Sequence, residues 1–234
     1  MTRGIFIAGT ESSLFSAAAA EAAKRVEAFA CTLLPNRLSA LSDMGHMPSG
    51  RDIQMPALEL PGGAVPLSWN PASPISARTL VLAAENRLKQ INDAIIICSP
   101  PAIYKTAAAL MPEEIEMMVN NHIKGWFFLV RELILYFRRI SSGTLSFVVP
   151  DETGIGVKNT PAELLGSSAA ASFRTFAQGI LSSQANEPFP LMGFSGTDAG
   201  AEADFAAWFF RIIDERAKKN SGRWNKYSRL TFLR

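Results

Sequence analysis

The sequence is poor in the side chains that build disulfides and metal sites. Its 234 residues include only two cysteines and two histidines. Cys31 and Cys98 both lie inside apolar runs, which is typical of core thiols and favours a reducing, cytoplasmic location. His46 lies in an irregular segment with no visible partner, so together with His122 it predicts no metal site.

Long uncharged apolar runs are also absent. The most apolar segment, 126–137, is interrupted by Arg131 and Glu132, and no segment reaches the roughly 18 residues of a membrane-spanning helix. The N-terminal run Ile5–Ile7 is followed by Glu11 and serines rather than by a cleavage pattern, so we expect no signal peptide and no membrane partner. The formal net charge of +2 is too small to imply a polyanionic partner.

Basic residues are nevertheless concentrated at one end of the chain. Residues 211–234 contain eight lysines and arginines against two acids. The simplest interpretation is a solvated basic surface, and we therefore expect no nucleic-acid partner. The alternative is a contact with nucleotide phosphate or nucleic acid, in which Trp224, Tyr227 and Phe232 stack on bases.

Short apolar runs alternate with helical segments along the chain. Runs at 4–8, 93–98 and 144–149 are typical of strands buried on both faces of a parallel sheet, and 26–34 is a weaker candidate. Capping residues and apolar spacing predict helices at 12–24, 76–90, 112–139 and 161–182. This order predicts an α/β fold, a Rossmann-like doubly wound parallel sheet with helices on both faces, in one domain over residues 1–234.

The segment 43–74 breaks the alternation because it contains six prolines and four glycines. It predicts an irregular loop with one short strand near Ala64 to Trp69. A loop of this length is either functional or mobile.

Several segments match one known family in order and spacing. They are Ala8-Gly9-Thr10-Glu11-Ser12-Ser13-Leu14-Phe15 after the first strand, His122-Ile123-Lys124-Gly125 in the long helix, Gly143 to Pro150, Pro190 to Thr197, and Ser221-Gly222-Arg223-Trp224. Taken together they resemble the short-chain dehydrogenase/reductase family from Gly4 to about Trp224. The resemblance implies a sheet of about seven strands and a site for a nicotinamide dinucleotide.

The resemblance places the cofactor phosphates at the turn after the first strand. The family motif Thr-Gly-x-x-x-Gly-x-Gly keeps its first glycine as Gly9, but its second is Ser13 and its third is Phe15. Glycine in such a turn lets the pyrophosphate approach the helix N-terminus, and Glu11 adds a negative charge there. We therefore expect dinucleotide binding to be weak or absent. The candidate cofactor-binding residues are Gly9, Thr10, Ser12, Ser13 and Arg37.

The segment Pro35-Asn36-Arg37 favours NADP(H) over NAD(H). It follows the second strand with a basic residue and without the acid that would hold a free 2′-hydroxyl. An exposed loop charge is the simpler interpretation of Arg37.

The catalytic Tyr-x-x-x-Lys of the family is missing. With Phe176 as the anchor, Gly166 and Ala170 occupy the two positions. With Phe173 as the anchor, Glu163 and Ser167 occupy them. General acid–base catalysis needs a titratable group within hydrogen-bond reach of the reacting atom. The standard mechanism is therefore not expected in either register.

A substitute acid–base site can be assembled from Tyr104 or His122 together with Asp151. Tyr104 follows the fourth strand, Asp151 follows the fifth, and His122 projects from the helix between them, so all three lie toward the ligand-binding edge of the sheet. The candidate catalytic residues are therefore Tyr104, His122 and Asp151. Each has a simpler interpretation: Tyr104 as a half-buried aromatic residue, Asp151 as a turn former, and His122 as a packed helix residue with a satisfied hydrogen bond.

The family fold also bears on the cysteines and on assembly. It separates Cys31 from Cys98 by two strand spacings, roughly 9–10 Å, which is too far for a disulfide.

The helix from Glu113 to Arg139 is apolar on more than one face, and in the family it builds a four-helix dimer interface with the next helix. Ala169, Ala171 and Ser172 would permit close approach there, so we expect a homo-oligomer.

Two functions follow from the sequence. The first is a degenerate family member without standard catalysis, acting in binding, in regulation or as a subunit beside an active paralogue. The second is a working NAD(P)(H)-dependent oxidoreductase with a non-standard proton donor. Fold alone favours an oxidoreductase, but function is decided by the site.

Overall fold

The structure is a computed structural model that describes residues 3–34, 59–151, 163–183, 187–196, 201–215 and 220–228. Strands and helices alternate along it. The strands are β1 (Ile5–Thr10), β2 (Phe29–Leu34), β3 (Ala64–Pro66), β4 (Asp93–Ile97), β5 (Thr144–Pro150), β6 (Leu191–Gly196) and β7 (Arg223–Tyr227). The helices are α1 (Ser13–Ala23), α2 (Pro74–Leu88), α3 (Pro112–Val119), α4 (Gly125–Ile140), α5 (Leu165–Ser182) and α6 (Glu202–Glu215).

The seven strands form one parallel sheet in the order β3-β2-β1-β4-β5-β6-β7. This confirms the predicted doubly wound sheet, including the short strand expected near Ala64. The sequence order reverses between β1 and β4. In open sheets of this kind, ligands bind outside the carboxyl ends of the strands at such a point.

Two apolar layers bury the strands from both sides. Helices α2, α4 and α5 cover one face of the sheet, and α1 and α6 cover the other. All six residues of β1 and of β2 are buried. This explains why the strands appear in the sequence as continuous apolar runs rather than as an alternating pattern.

The long helix predicted over 112–139 is present but is not one regular helix. Residues Asn120–Lys124 form a π-helical turn between α3 and α4. The Gly125 N–H donates to the Asn120 carbonyl oxygen, five residues back. Such a turn inserts one extra residue into a helix. Local capping and periodicity do not indicate it.

The expectation for the two cysteines is confirmed. Cys31 and Cys98 are both buried, and they form no disulfide with each other. Cys31 packs with α1 and α6, whereas Cys98 packs on the opposite face with α2, α4 and α5. Strand β1 also lies between β2 and β4, as expected. Burial raises the pKa of the Cys31 thiol to about 11, so this side chain behaves as an apolar core residue.

An ion-pair chain joins the amino-terminal end of the sheet to α1 and α6. Arg3 Nε lies 2.5 Å from Asp93 Oδ2, and its Nη1 lies 2.6 Å from Asp214 Oδ1. Asp214 also binds Arg25 Nε at 2.8 Å, and Arg25 binds Glu21 at 2.5 Å. Asp214 therefore holds two arginines from different parts of the chain.

Removing the Asp214 carboxylate should weaken this end of the fold. We expect Asp214→Asn to lower the free energy of unfolding by about 1–2 kcal/mol, because two charge-assisted hydrogen bonds are lost. The loss should shrink in high salt. Urea unfolding measures both effects, and Glu116→Gln on the exposed face of α3 serves as the control. Equal unfolding midpoints for the two variants would show that the ion-pair chain contributes nothing.

Candidate functional site

In the turn after β1, a serine side chain accepts a hydrogen bond from the first turn of helix α1. Ser12 caps α1: its hydroxyl oxygen accepts from the Phe15 N–H at 3.2 Å, and the hydroxyl donates to the Thr10 carbonyl at 3.1 Å. The Ser12 hydroxyl thus takes an N–H group that a bound anion would otherwise use. Ser13 is exposed, and Thr10 is fully buried with a hydroxyl that has no hydrogen-bond partner among the described residues.

Phe15 fills the space beside Gly9. A methyl group at Gly9 would lie 2.6 Å from the Phe15 ring, and Phe15 is completely buried between α1 and the sheet. Gly9 therefore makes room for an internal aromatic ring. Glu11 beside it has a buried carboxylate oxygen with no hydrogen-bond partner in the described parts of the chain.

These features fit a dinucleotide pyrophosphate poorly. Its phosphates would need free N–H groups and a neutral or positive surrounding. The turn instead offers a self-capped helix and an acidic side chain. The remaining cofactor candidate, Arg37, lies outside the described residues, as does the rest of Pro35-Asn36-Arg37.

The amino end of α5 is also capped internally. The Glu163 carboxylate accepts hydrogen bonds from the Gly166 N–H at 2.7 Å and from the Ser167 N–H. It also accepts from the Ile103 N–H, at 3.3 Å, in the loop that follows β4. The sequence placed Glu163 and Ser167 at the Tyr and Lys positions in one of its two registers. It did not indicate that Glu163 acts as a helix cap.

Residues 100–105, called the covering loop below, close over this helix start. The Pro101 carbonyl oxygen lies so near Gly166 that a methyl group there would approach it to 2.5 Å. Tyr104 pairs with Glu163 through an antiparallel β-bridge. Ile103 is buried against Met118 and Ala169. The loop therefore occupies the space in front of α5 with backbone and an aliphatic side chain.

Tyr104 points away from this packing. Its side chain is 66% exposed, more than the half-buried aromatic residue expected from the sequence. Its neighbour Lys105 is held by Glu114 at 2.6 Å, and this hydrogen bond holds the pKa of Glu114 below its usual range. The sequence did not indicate this ion pair, which holds the covering loop in addition to the hydrogen bond from Ile103 to Glu163.

His122 lies in the π-helical turn and is completely buried. Neither ring nitrogen has a hydrogen-bond partner among the described residues, so the hydrogen bond expected for a packed helix residue is not found there. Burial lowers the pKa of His122 to about 4, so the ring is neutral at physiological pH.

Asp151 belongs to a different set of contacts. Arg174 of α5 binds its carboxylate, and Lys226 of β7 lies 3.8 Å from its second oxygen. The Arg174 guanidinium lies 5.5 Å from the centre of the Trp224 ring, and the Trp224 indole donates to Ser195 at 3.1 Å. No sequence motif assigned a functional role to Arg174, Lys226 or Ser195.

The three candidate catalytic residues thus have separate surroundings: solvent for Tyr104, a buried turn for His122 and two cations for Asp151. No hydrogen bond in the described residues joins any two of them. Their action as one acid–base site remains a prediction. His46 lies outside the described residues, within which no cluster of metal-binding side chains is found.

The fold matches proteins of known structure. The chain is similar to an NADH-dependent reductase complexed with NAD, with a TM-score of 0.69, 13% identity and coverage of 97% of this chain and 95% of that one. It is also similar to ElxO with NADP bound, with a TM-score of 0.69, 11% identity and coverage of 97% of each chain. A short chain dehydrogenase from Mycobacterium smegmatis is similar to it with a TM-score of 0.69, 12% identity and coverage of 97% of this chain and 92% of that one. The chain has the short-chain dehydrogenase/reductase fold.

The similarity to these proteins lies in structure rather than in sequence. No family model matches the sequence, and no curated protein matches it significantly. In the described residues, no helix is long and apolar enough to cross a membrane.

The contact between Gly166 and Pro101 gives a prediction with a matched control in the same helix. Gly166→Ala should destabilise the protein by about 1–3 kcal/mol, because its methyl group would collide with the Pro101 carbonyl. Gly179→Ala meets no atom within 4 Å and should be neutral or stabilising by up to about 1 kcal/mol. Thermal unfolding of both variants tests this, and equal effects would contradict the close contact.

The buried imidazole predicts a pH dependence of stability. Below the usual His pKa of about 6.5, the unfolded chain takes up a proton that folded His122 does not bind. Stability should therefore fall as the pH decreases, by about 2 kcal/mol between pH 7 and pH 5. His122→Leu should lack this loss. Urea unfolding of both proteins isolates His122, since they share every other titratable group. Parallel pH curves would contradict the burial of a neutral imidazole.

Proposed function

We propose that this chain is a short-chain dehydrogenase/reductase-like protein that works without the standard Tyr/Lys catalysis. It acts in binding, in regulation or as a subunit of an assembly. The observation that carries the proposal is the amino end of α5, where Glu163 caps the helix and Pro101 covers Gly166. Neither Gly166 nor Ala170 has a side chain that can transfer a proton or carry a positive charge.

The described surroundings of this helix end support the same conclusion. Ile103, Met118 and Ala169 form an apolar cluster there, and the carboxylate of Glu163 has three N–H donors within the protein. Most of the acceptor positions of this carboxylate are therefore occupied within the protein, which leaves little access for a reacting group.

The turn after β1 supports weak or absent NADP(H) binding. Ser12 caps its own helix, Glu11 adds negative charge, and Phe15 occupies the space beside Gly9. The NAD and NADP complexes among the similar structures keep a dinucleotide as the ligand class to test.

Cofactor titration tests the proposal directly. Calorimetric titration with NADPH and with NADH should give no saturable binding at cofactor concentrations up to about millimolar, that is, less than about 4 kcal/mol of binding free energy. Tight NADPH binding that is lost in Arg37→Ala would contradict the proposal and favour an oxidoreductase with a non-standard proton donor. Variants Tyr104→Phe, His122→Leu and Asp151→Asn would then identify that donor.

A homo-oligomer is the assembly we propose. A groove between α4 and α5 is lined almost entirely by small or apolar side chains. Phe127 and Phe176 stack at its edge with ring centres 4.0 Å apart. Ala171 and Ser172 line it as expected, whereas Ala169 is buried in the interior and cannot contribute. An uncharged groove with small residues permits close approach of a second copy.

Gly179 offers a test because a side chain there has room in the single chain. No atom lies within 4 Å of an added Cβ, and Gly179 lines the groove between α4 and α5. Gly179→Glu should fold normally but reduce the oligomer in sedimentation velocity, whereas Gly179→Ala should leave it intact. An unchanged sedimentation coefficient for Gly179→Glu would contradict this interface.

A further inference from the structure

The outer face of α2 carries an exposed apolar stripe. Ile75 is 76% exposed and Leu82 is 46% exposed. Leu135 on the neighbouring helix α4 is 43% exposed. These three side chains line a groove between α2 and α4. Contiguous apolar surface of this kind usually marks an interaction site.

Charged side chains flank the stripe, and most of them bind each other in pairs. Glu85 on α2 binds Arg139 of α4 at 2.8 Å. Arg131 and Glu132 bind each other. Arg78 lines the same groove, is exposed, and has no ion-pair partner among the described residues. Among the described residues, Arg78 is therefore a cation of this groove without an ion-pair partner, two helical turns from Glu85, which Arg139 already binds.

We propose that this face docks against a second copy of the chain, with the two α2 helices antiparallel about a two-fold axis close to Leu82. Helices related by a two-fold axis present the same residues to each other in reverse order. Arg78 of each copy then lies beside Glu85 of the other, and the Leu82 side chains meet at the centre.

The spacing along α2 supports a second copy as the partner. Arg78 and Glu85 are seven residues apart, or about 10 Å along a helix, so each lies about 5 Å from a point midway between them. That midpoint falls beside Leu82. Rotation about an axis there exchanges the two positions, so opposite charges face each other twice in one interface. The stripe is therefore complementary to itself in apolar character, and each Glu85 carboxylate binds both its own Arg139 and Arg78 of the other copy, as Asp214 binds two arginines.

The apolar contact is concentrated at the centre of the interface. Leu82 of each copy meets there, and the Arg78–Glu85 contacts lie on either side. An apolar centre with ion pairs at its edge is the arrangement expected of a specific interface.

This interface is separate from the groove between α4 and α5. Leu135 and Arg131 lie on the side of α4 that faces α2, whereas Phe127 lines the groove on the α5 side. Two different isologous contacts on one chain generate a closed tetramer when their two-fold axes intersect at right angles. The α2 contact does not depend on the other one, and its failure can be measured separately.

Charge reversal on α2 tests the proposal in the Gly179→Glu background, where the other groove is blocked. The α2 contact should leave that protein in a monomer–dimer equilibrium. Adding R78E, or adding E85K, places like charges at both contacts and should weaken the dimer by about tenfold or more. Mixing the R78E protein with the E85K protein restores opposite charges at both contacts and should give a one-to-one heterodimer.

Sedimentation velocity on each protein and on the mixture reads out these states, and thermal unfolding confirms that each variant is folded. A background protein that stays monomeric up to about 100 μM, where an interface of useful strength would associate, overturns the proposal. R78E and E85K proteins that dimerise as strongly as the Gly179→Glu background protein, or no recovery on mixing, also overturn it. If Gly179→Glu leaves the wild-type assembly unchanged, the α4–α5 interface fails instead, and the charge-reversal comparison still decides the α2 contact.

Discussion

The hydrogen bonds of Glu163 organise the end of the sheet where proteins of this fold bind their ligands. One carboxylate accepts from Gly166 and Ser167 at the start of α5 and from Ile103 in the covering loop. It thereby satisfies N–H groups that α5 would otherwise leave free, and it ties two segments 60 residues apart. The burial of Ile103 and the position of Pro101 over Gly166 are consistent with that contact. At the start of α5, the space is therefore filled by the protein's own backbone and by Ile103.

Much of the fold could be predicted from the sequence, because the relevant signals are local. Buried parallel strands leave continuous apolar runs, as in β1 and β4, and helix starts leave capping residues such as Ser12 and Pro112. The order of these elements is enough for a doubly wound sheet. The π-helical turn before Gly125 was not predicted, because one extra residue does not alter the periodicity over so short a segment.

The candidate site was harder to predict because its contacts join distant segments. Asp151 follows β5 as expected, but its partners Arg174 and Lys226 come from α5 and β7 and carry no motif. His122 was singled out as a helix residue between the fourth and fifth strands, yet its complete burial depends on packing between helices. Glu163 was identified only through one of the two registers of the family motif. The sequence predicts that the tyrosine and lysine are missing, whereas the internal cap formed by Glu163 is seen only in the structure.

The measurement that tests this account most directly is amide hydrogen exchange at Ile103, Gly166 and Ser167, with and without NADPH. The account predicts slow exchange at all three amides, because each donates to Glu163, and no change when NADPH is added. Slow exchange should become fast in Glu163→Ala. Fast exchange in the wild-type protein, or protection that changes on addition of NADPH, would show that the end of the sheet is open to the cofactor and would contradict the account.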